Sequence, residues 1–237
     1  MVRRRRWRVV MTVTLLGAGI VGPLAAQRAF EPTRWELGID LAGLIPVGEF
    51  QQFIDAGGGL DLSLLRYFDQ GRHIGLRFDG GFALYGHERF QVPLLPTTGR
   101  ILVDVTTDNM IFGLGLGPQV TLLRGRFRPY AYGTAGFGYF ATISSVSGSA
   151  TLEDFASTTN FDDWTTQLSL GGGFTWRVSS GRHPIALGAS TRYVYNGSVV
   201  YLNEGGLVDN PDGSATLYPI RSNANYVVIR LGLTVGF

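Results

Sequence analysis

The chain has no cysteine and no lysine, and only three histidines among 237 residues. Without cysteine there is no disulfide, no thiolate nucleophile and no cysteine-based zinc site. Charge is also scarce, at 16% of residues. Beyond residue 26 no run approaches the roughly 18 apolar residues of a membrane-crossing helix, so none is expected. Yet 45% of the chain is hydrophobic and 34 residues are glycine. An apolar chain without spanning helices has one further way to cross a bilayer, a closed β-barrel.

The first 26 residues read as a secretory signal peptide, with residues 27–237 as the mature domain. "MVRRRRWR" is a basic start, "VVMTVTLLGAGIVG" a short apolar run interrupted by glycine, and "PLAAQ" offers small residues for cleavage near Ala26. Setting aside its five arginines leaves 15 basic and 18 acidic residues, a net charge of −3. The basic balance of the whole chain thus belongs to the leader, and no nucleic-acid partner is expected.

Eight segments alternate apolar and small or polar residues with the period of a strand. They are Arg34–Leu44, Gly58–Phe68, His73–His87, Met110–Leu123, Pro129–Thr142, Thr166–Val178, Pro184–Tyr195 and the terminal stretch 226–237. The fifth alternates too weakly to assign its faces. Short turns near 69–72, 124–128 and 179–183 alternate with long polar stretches near 45–57, 88–109, 146–163 and 196–223. This layout predicts an all-β, eight-stranded antiparallel up-and-down transmembrane barrel.

The side that meets lipid follows from what the other side carries. Opposite the apolar rows stand glycines and isolated charges: Glu36, Asp40, Asp61, Arg77, Asp79, Arg177, Arg192 and Arg230. Such rows make a poor solvent face but suit a narrow polar lumen. Charges confined there require partners, so an ion-paired plug is expected, with Asp40 set beside Arg230 across the closing seam. Trp35, Phe68, Tyr130, Trp176 and Phe237 fall at the short-turn ends and Tyr85, Tyr139, Phe140, Tyr193 and Tyr195 near the long-loop ends. These are expected to form two interfacial girdles.

The terminal residues Arg230, Leu231, Gly232, Leu233, Thr234, Val235, Gly236 and Phe237 resemble the C-terminal insertion signal of bacterial outer-membrane proteins, with Arg230, Gly232, Val235 and Phe237 on its defining positions. Over residues 30–237 the chain resembles the small eight-stranded outer-membrane barrels, the OmpA transmembrane domain and its OmpX- and OmpW-like relatives. The resemblance implies a Gram-negative outer membrane; the even number of strands places both termini on the short-turn, periplasmic side, and the chain is expected to depart from full OmpA-type proteins in lacking a periplasmic peptidoglycan-binding domain. It also implies outer-membrane lipid and lipopolysaccharide as surroundings, and the barrel-assembly machinery as a partner during insertion.

Three functional expectations follow. The first is a monomeric, non-enzymatic barrel without cofactor or metal, its long outer loops free for an unidentified partner. The second is a narrow OmpW-like channel for small or apolar solutes. The third is a lipid-modifying enzyme centred on His87, beside Glu88 at the outer rim, although no His-x-Ser pair accompanies it. "DNPDGS" at 209–214 lacks the ligand spacing of a calcium loop and reads as a turn. "GLGLGPQ" and "GTAGFGYF" lie within alternating strands with no helix to follow, which excludes a phosphate loop.

Overall fold

The computed structural model describes residues 34–93, 102–148, 154–210 and 215–237. The expected signal peptide and residues 211–214 of the expected turn lie outside the described residues.

Eight strands close into one barrel: β1 (Trp35–Pro46), β2 (Gly57–Tyr67), β3 (Ile74–Pro93), β4 (Leu102–Thr121), β5 (Phe127–Gly148), β6 (Asp154–Ser179), β7 (Ile185–Asn196) and, after four short strands, β12 (Tyr226–Gly236). Each pairs antiparallel with its sequence neighbour, and β12 returns to β1 with Glu36 opposite Gly236 and Ile39 opposite Leu233. The short strands β8 (Ser198–Tyr201) and β11 (Ile220–Asn223) form one ribbon, and β9 (Leu207–Asp209) and β10 (Ala215–Leu217) another.

Alternation dictates the two faces. Leu41 and Leu170 stand 70% and 72% exposed, while Arg230 on the opposite parity is fully buried. Leu37, Ile39, Leu62, Phe78, Leu168, Leu187, Leu231 and Leu233 are likewise exposed. A water-soluble barrel would reverse this arrangement. An outward apolar belt over an inward polar set is the pattern of a barrel in hydrocarbon. Trp35, Phe68, Trp176 and Phe237 are exposed at the short-turn end, and Phe127 lies 6.1 Å from Trp176. At the long-loop end Tyr193 and Tyr195 face outward, and Tyr139 packs 4.5 Å from the exposed Trp164.

The other expected girdle residues turn inward. In β5 as far as Phe140 the exposed residues are odd-numbered and the buried ones even-numbered, as Phe127 and Phe137 outside and Tyr132 and Thr134 inside show. Tyr130 shares the inward parity, packs 6.1 Å from Tyr132 and lines a lumen cavity. Phe140 follows the same rule and is buried. Tyr85 is buried one position after the outward Leu84. It is also the extra residue of a bulge, since Leu84 faces Met110 and Gly86 faces Asn109.

Two stretches expected as loops are strands. β3 and β4 continue in register to Pro93 and Leu102, and β5 and β6 to Ser147 and Asp154. Threonines, valines and serines in 103–107 and 142–147 suit extended backbone. The four strands β3–β6 have 20 to 26 residues, against 11 or 12 in the other four. Since about 9–11 residues suffice to cross hydrocarbon, they rise beyond the belt as a wall on one side.

Candidate functional site: a lumen closed at two levels

Nearest the short turns, β1 directs Glu36 inward. Its Oε2 accepts a hydrogen bond from the Tyr67 hydroxyl (3.0 Å), and its Oε1 accepts from Arg128 Nη1 (2.6 Å) and from Arg72 Nη2. Arg128 Nη2 donates to the Tyr67 oxygen at 2.5 Å, and both guanidiniums lie over the Tyr67 ring, at 5.1 and 5.3 Å. Arg72 reaches in from a turn in which its own φ is +58°, a left-handed conformation uncommon outside glycine. Asp69 holds that turn. Its Oδ1 accepts from the backbone N–H of His73 and of Ile74, each at 2.8 Å. The Ile74 N–H above all, with the His73 N–H, holds this carboxyl below the usual carboxylate range against the opposing effect of desolvation.

One layer higher, charges from four strands interlock. Arg77 donates through Nε to Asp79 Oδ1 (2.8 Å) and through Nη1 to Gln119 Oε1 (3.0 Å). Arg192 Nη2 approaches Asp61 Oδ2 at 3.0 Å. Arg230 Nη1 lies 3.5 Å from Asp61 and 3.6 Å from Asp79. Its Nε donates to Ser190 Oγ at 3.0 Å, and its Nη2 donates to the Tyr132 hydroxyl. The Tyr132 ring sits under Arg77 at 4.5 Å and under Arg230 at 5.4 Å. Small residues make the room: a Cβ on Gly81 would collide with the Asp61 carboxylate, and one on Gly171 would stand 2.7 Å from Tyr132. Each of these buried charges thus has an opposite charge within 4 Å, the condition under which burial is tolerable, although Arg192 Nε and Asp79 Oδ2 are left without a hydrogen-bond partner among the described residues.

Asp40 does not pair with Arg230. The register sets Asp40 opposite Gly232 on β12 and opposite Asp61 on β2, while Arg230 faces Ala42. Two residues nearer the long loops, the Arg230 guanidinium extends across the lumen rather than along the seam. Asp40 is half-buried and, among the described residues, has no ion pair within 4 Å. It borders a polar cavity shared with Glu36, Ser63, Arg77 and Tyr130. Arg177 is half-buried at the short-turn mouth, also without an ion pair among the described residues.

Above the charges the lumen becomes apolar. Phe50, from the 3-10 turn Phe50–Gln52 between β1 and β2, is fully buried. Its ring meets Tyr201 at 5.1 Å, Tyr85 at 5.8 Å and Phe140 at 6.3 Å, all edge to face. Leu44, Ile111, Val194, Tyr226 and Val228 complete the cluster from the walls. The cavities below and beside this plug each offer about 20 Å³ to the centres of water molecules. One water requires roughly 10–15 Å³, so isolated waters fit but a continuous aqueous column does not.

His87 lies outside this interior. It is exposed on the wall, with Nδ1 2.6 Å from Asp108 Oδ1 and its backbone N–H donating to Glu204 Oε1 (3.1 Å). Among the described residues no hydroxyl hydrogen-bonds its ring. Close by, Arg89 Nη2 donates to Asp104 at 2.8 Å, which holds the Asp104 carboxyl low.

Sequence reasoning missed Tyr67, Arg72, Arg128, Tyr132 and the Phe50 plug. Arg128 and Tyr132 share one parity of the fifth segment, and extending that segment to Phe127 would have brought both inward. Phe50 and Arg72 come from connections, where alternation carries no information.

No protein-family model matches the sequence, and a sequence comparison with curated proteins finds no match. Solved structures do match. Neisserial surface protein A (NspA) shares 14% identity at a TM-score of 0.51, over 86% of this chain and 98% of that one. OprG from Pseudomonas aeruginosa shares 14% at 0.45, over 87% and 97%. Ail of Yersinia pestis shares 14% at 0.41, over 86% and 96%. The likeness to NspA shows the fold, that of the small eight-stranded outer-membrane β-barrels.

Proposed function

We propose that this chain is a closed, monomeric, non-enzymatic barrel of a bacterial outer membrane. Its termini and short turns face the periplasm, and its tall wall and long loops form an outward interaction surface. The carrying observation is the double closure of the lumen, with Asp61, Asp79, Arg192 and Arg230 interlocked below Phe50 and its aromatic cup. A solute would have to break both layers to pass. What supports a role outside catalysis is the isolation of His87, an exposed base with a carboxylate partner but, among the described residues, no nucleophile hydrogen-bonded to its ring. The outer face remains the part free to act, and loops and extensions on a rigid scaffold commonly carry recognition. On this reading β12 is also the strand grasped during assembly, so Phe237→Asp lowers the amount of heat-modifiable barrel recovered in the outer-membrane fraction.

The deciding experiment is planar-bilayer recording of the refolded protein. The expected result is no steady conductance; resolved channel openings from the native sequence would refute closure. A second reading is a gated pathway for small apolar solutes. It is favoured by one observation, that the upper plug comes from a connection rather than a strand. On that reading Phe50→Ala admits solutes that the native protein excludes.

A further inference from the structure

The short-turn mouth has a charge arrangement that closure does not require. Three guanidiniums, from Arg72, Arg128 and Arg177, surround one carboxylate, Glu36. The side chains of Glu36, Arg72 and Arg128 are 10%, 14% and 8% exposed. Both oxygens of Glu36 are already engaged, by two arginines and by Tyr67. Arg177 therefore has no carboxylate left to it, and among the described residues none lies within 4 Å. The buried Nε–H of Arg72 also has no acceptor. The mouth thus has two more positive than negative charges, in a recess that water only partly reaches.

Like charges held close in a low-dielectric recess repel strongly. Spare guanidinium forks at such a place match an oxyanion with several acceptor oxygens better than a point charge. The donors come from β6 (Arg177 and Thr175), β12 (Thr234) and the turn that carries Arg72, all on one lining. Two carboxylate oxygens would serve only part of this set. The inner part of the recess offers about 10 Å³ to the centres of water molecules, room for about one water, so a tetrahedral anion seats at the solvent-open mouth and leaves the Glu36 cluster in place.

We propose that this mouth is a phosphate-binding site, with Arg177 and Arg72 as its principal ligands and Arg128 held in place by Glu36. The occupant is a phosphate group, supplied either as free inorganic phosphate or as the headgroup of an anionic phospholipid in the adjacent leaflet. The site does not depend on whether the lumen conducts.

The test measures binding of inorganic phosphate to the refolded full-length barrel by calorimetry, in a nonionic detergent at fixed chloride and ionic strength. Saturable binding is expected, and Arg177→Gln weakens it about tenfold or more. Because Arg177 makes no ion pair, this variant folds with undiminished stability when phosphate is absent. Arg182→Gln, on the neighbouring exposed turn, binds as the native protein does. Repeating the titration in nanodiscs identifies the source. A several-fold weaker apparent affinity in phosphatidylglycerol than in phosphatidylcholine identifies the lipid headgroup as occupant, and equal affinity identifies free phosphate; either result supports the site. Absence of saturable binding in detergent up to about 10 mM phosphate, or an Arg177→Gln variant that binds as tightly as the native chain, overturns it.

Discussion

The lower and upper halves of the lumen are closed by opposite means. Below, the closing groups are charges carried on strands: Asp61 on β2, Asp79 on β3, Arg192 on β7 and Arg230 on β12. Above, they are aromatic rings, and the central one, Phe50, is carried by a connection. The lower layer ties four strands together across the barrel, so it cannot be removed without disturbing the fold. The upper layer fills space that the walls already enclose. Closure by strands is therefore part of the barrel's stability, while closure by a loop is separable from it.

The largest effect is expected where the lower layer loses a carboxylate. Asp61→Ala leaves Arg192 and Arg230 short of a partner in a dry environment, costing about 3–5 kcal/mol. Urea unfolding of the refolded variant measures this, and a change under about 1 kcal/mol would mean that water reaches the layer. Phe50→Ala should instead act locally. It removes a buried ring at a local cost of about 3 kcal/mol, with little effect on the global midpoint. Amide exchange reads it directly, because the N–H groups of Gln52, Phe53 and Ile54 are bonded within that turn. Faster exchange there, with β1 and β2 unchanged, is the expected signature; equal loss in the strands would erase the contrast between the halves.

A finer comparison lies within the lower layer. Double-mutant cycles should couple Arg230 to Asp61 by about 1–2 kcal/mol and to Asp40 by under about 0.5 kcal/mol. The reverse order would place Asp40, not Asp61, as the partner. The smallest effect concerns the turn that delivers Arg72. Asp69 has a folded-state pKa lowered by the Ile74 and His73 amides, so its contribution is present above the unfolded value near ~3.9 and is lost as pH falls through the lower folded value. The stability difference between the native chain and Asp69→Asn should therefore be constant at neutral pH and shrink in acid. A difference that grows on acidification would contradict the assigned hydrogen bonds.

The architecture was legible because alternation of apolar and small residues is a one-dimensional signal. Leu231, Leu233 and Val235 declare the outward face of β12 without help from any neighbour. The individual charges at 36, 61, 77, 79, 192 and 230 were legible as inward for the same reason. Their pairing was not, because it depends on stagger and on how far a long guanidinium reaches. A two-residue difference in height directed Arg230 to Asp61 and Asp79 and left Asp40 unpaired. Aromatic residues misled for a different reason. Tyr85, Tyr130 and Phe140 are amphipathic or large enough to suit either a membrane interface or a crowded lumen, and only strict parity separates the two. In β5 small residues on both faces blurred that parity.

The uneven strand lengths bear on how any contact made by the wall would be found. Residues 156–159 are exposed at every position, on a stretch of β6 that pairs with β5 and not with β7. Yet β5 and β6 hold them in a hydrogen-bonded ladder, so successive side chains point to opposite sides. An alanine scan through this stretch would not yield a contiguous epitope of the kind a flexible loop gives. Sensitive and silent positions would alternate, and the sensitive parity would name the face that the partner touches. A partner binding such a surface would also meet backbone already ordered, so its affinity would depend little on segment ordering and strongly on shape.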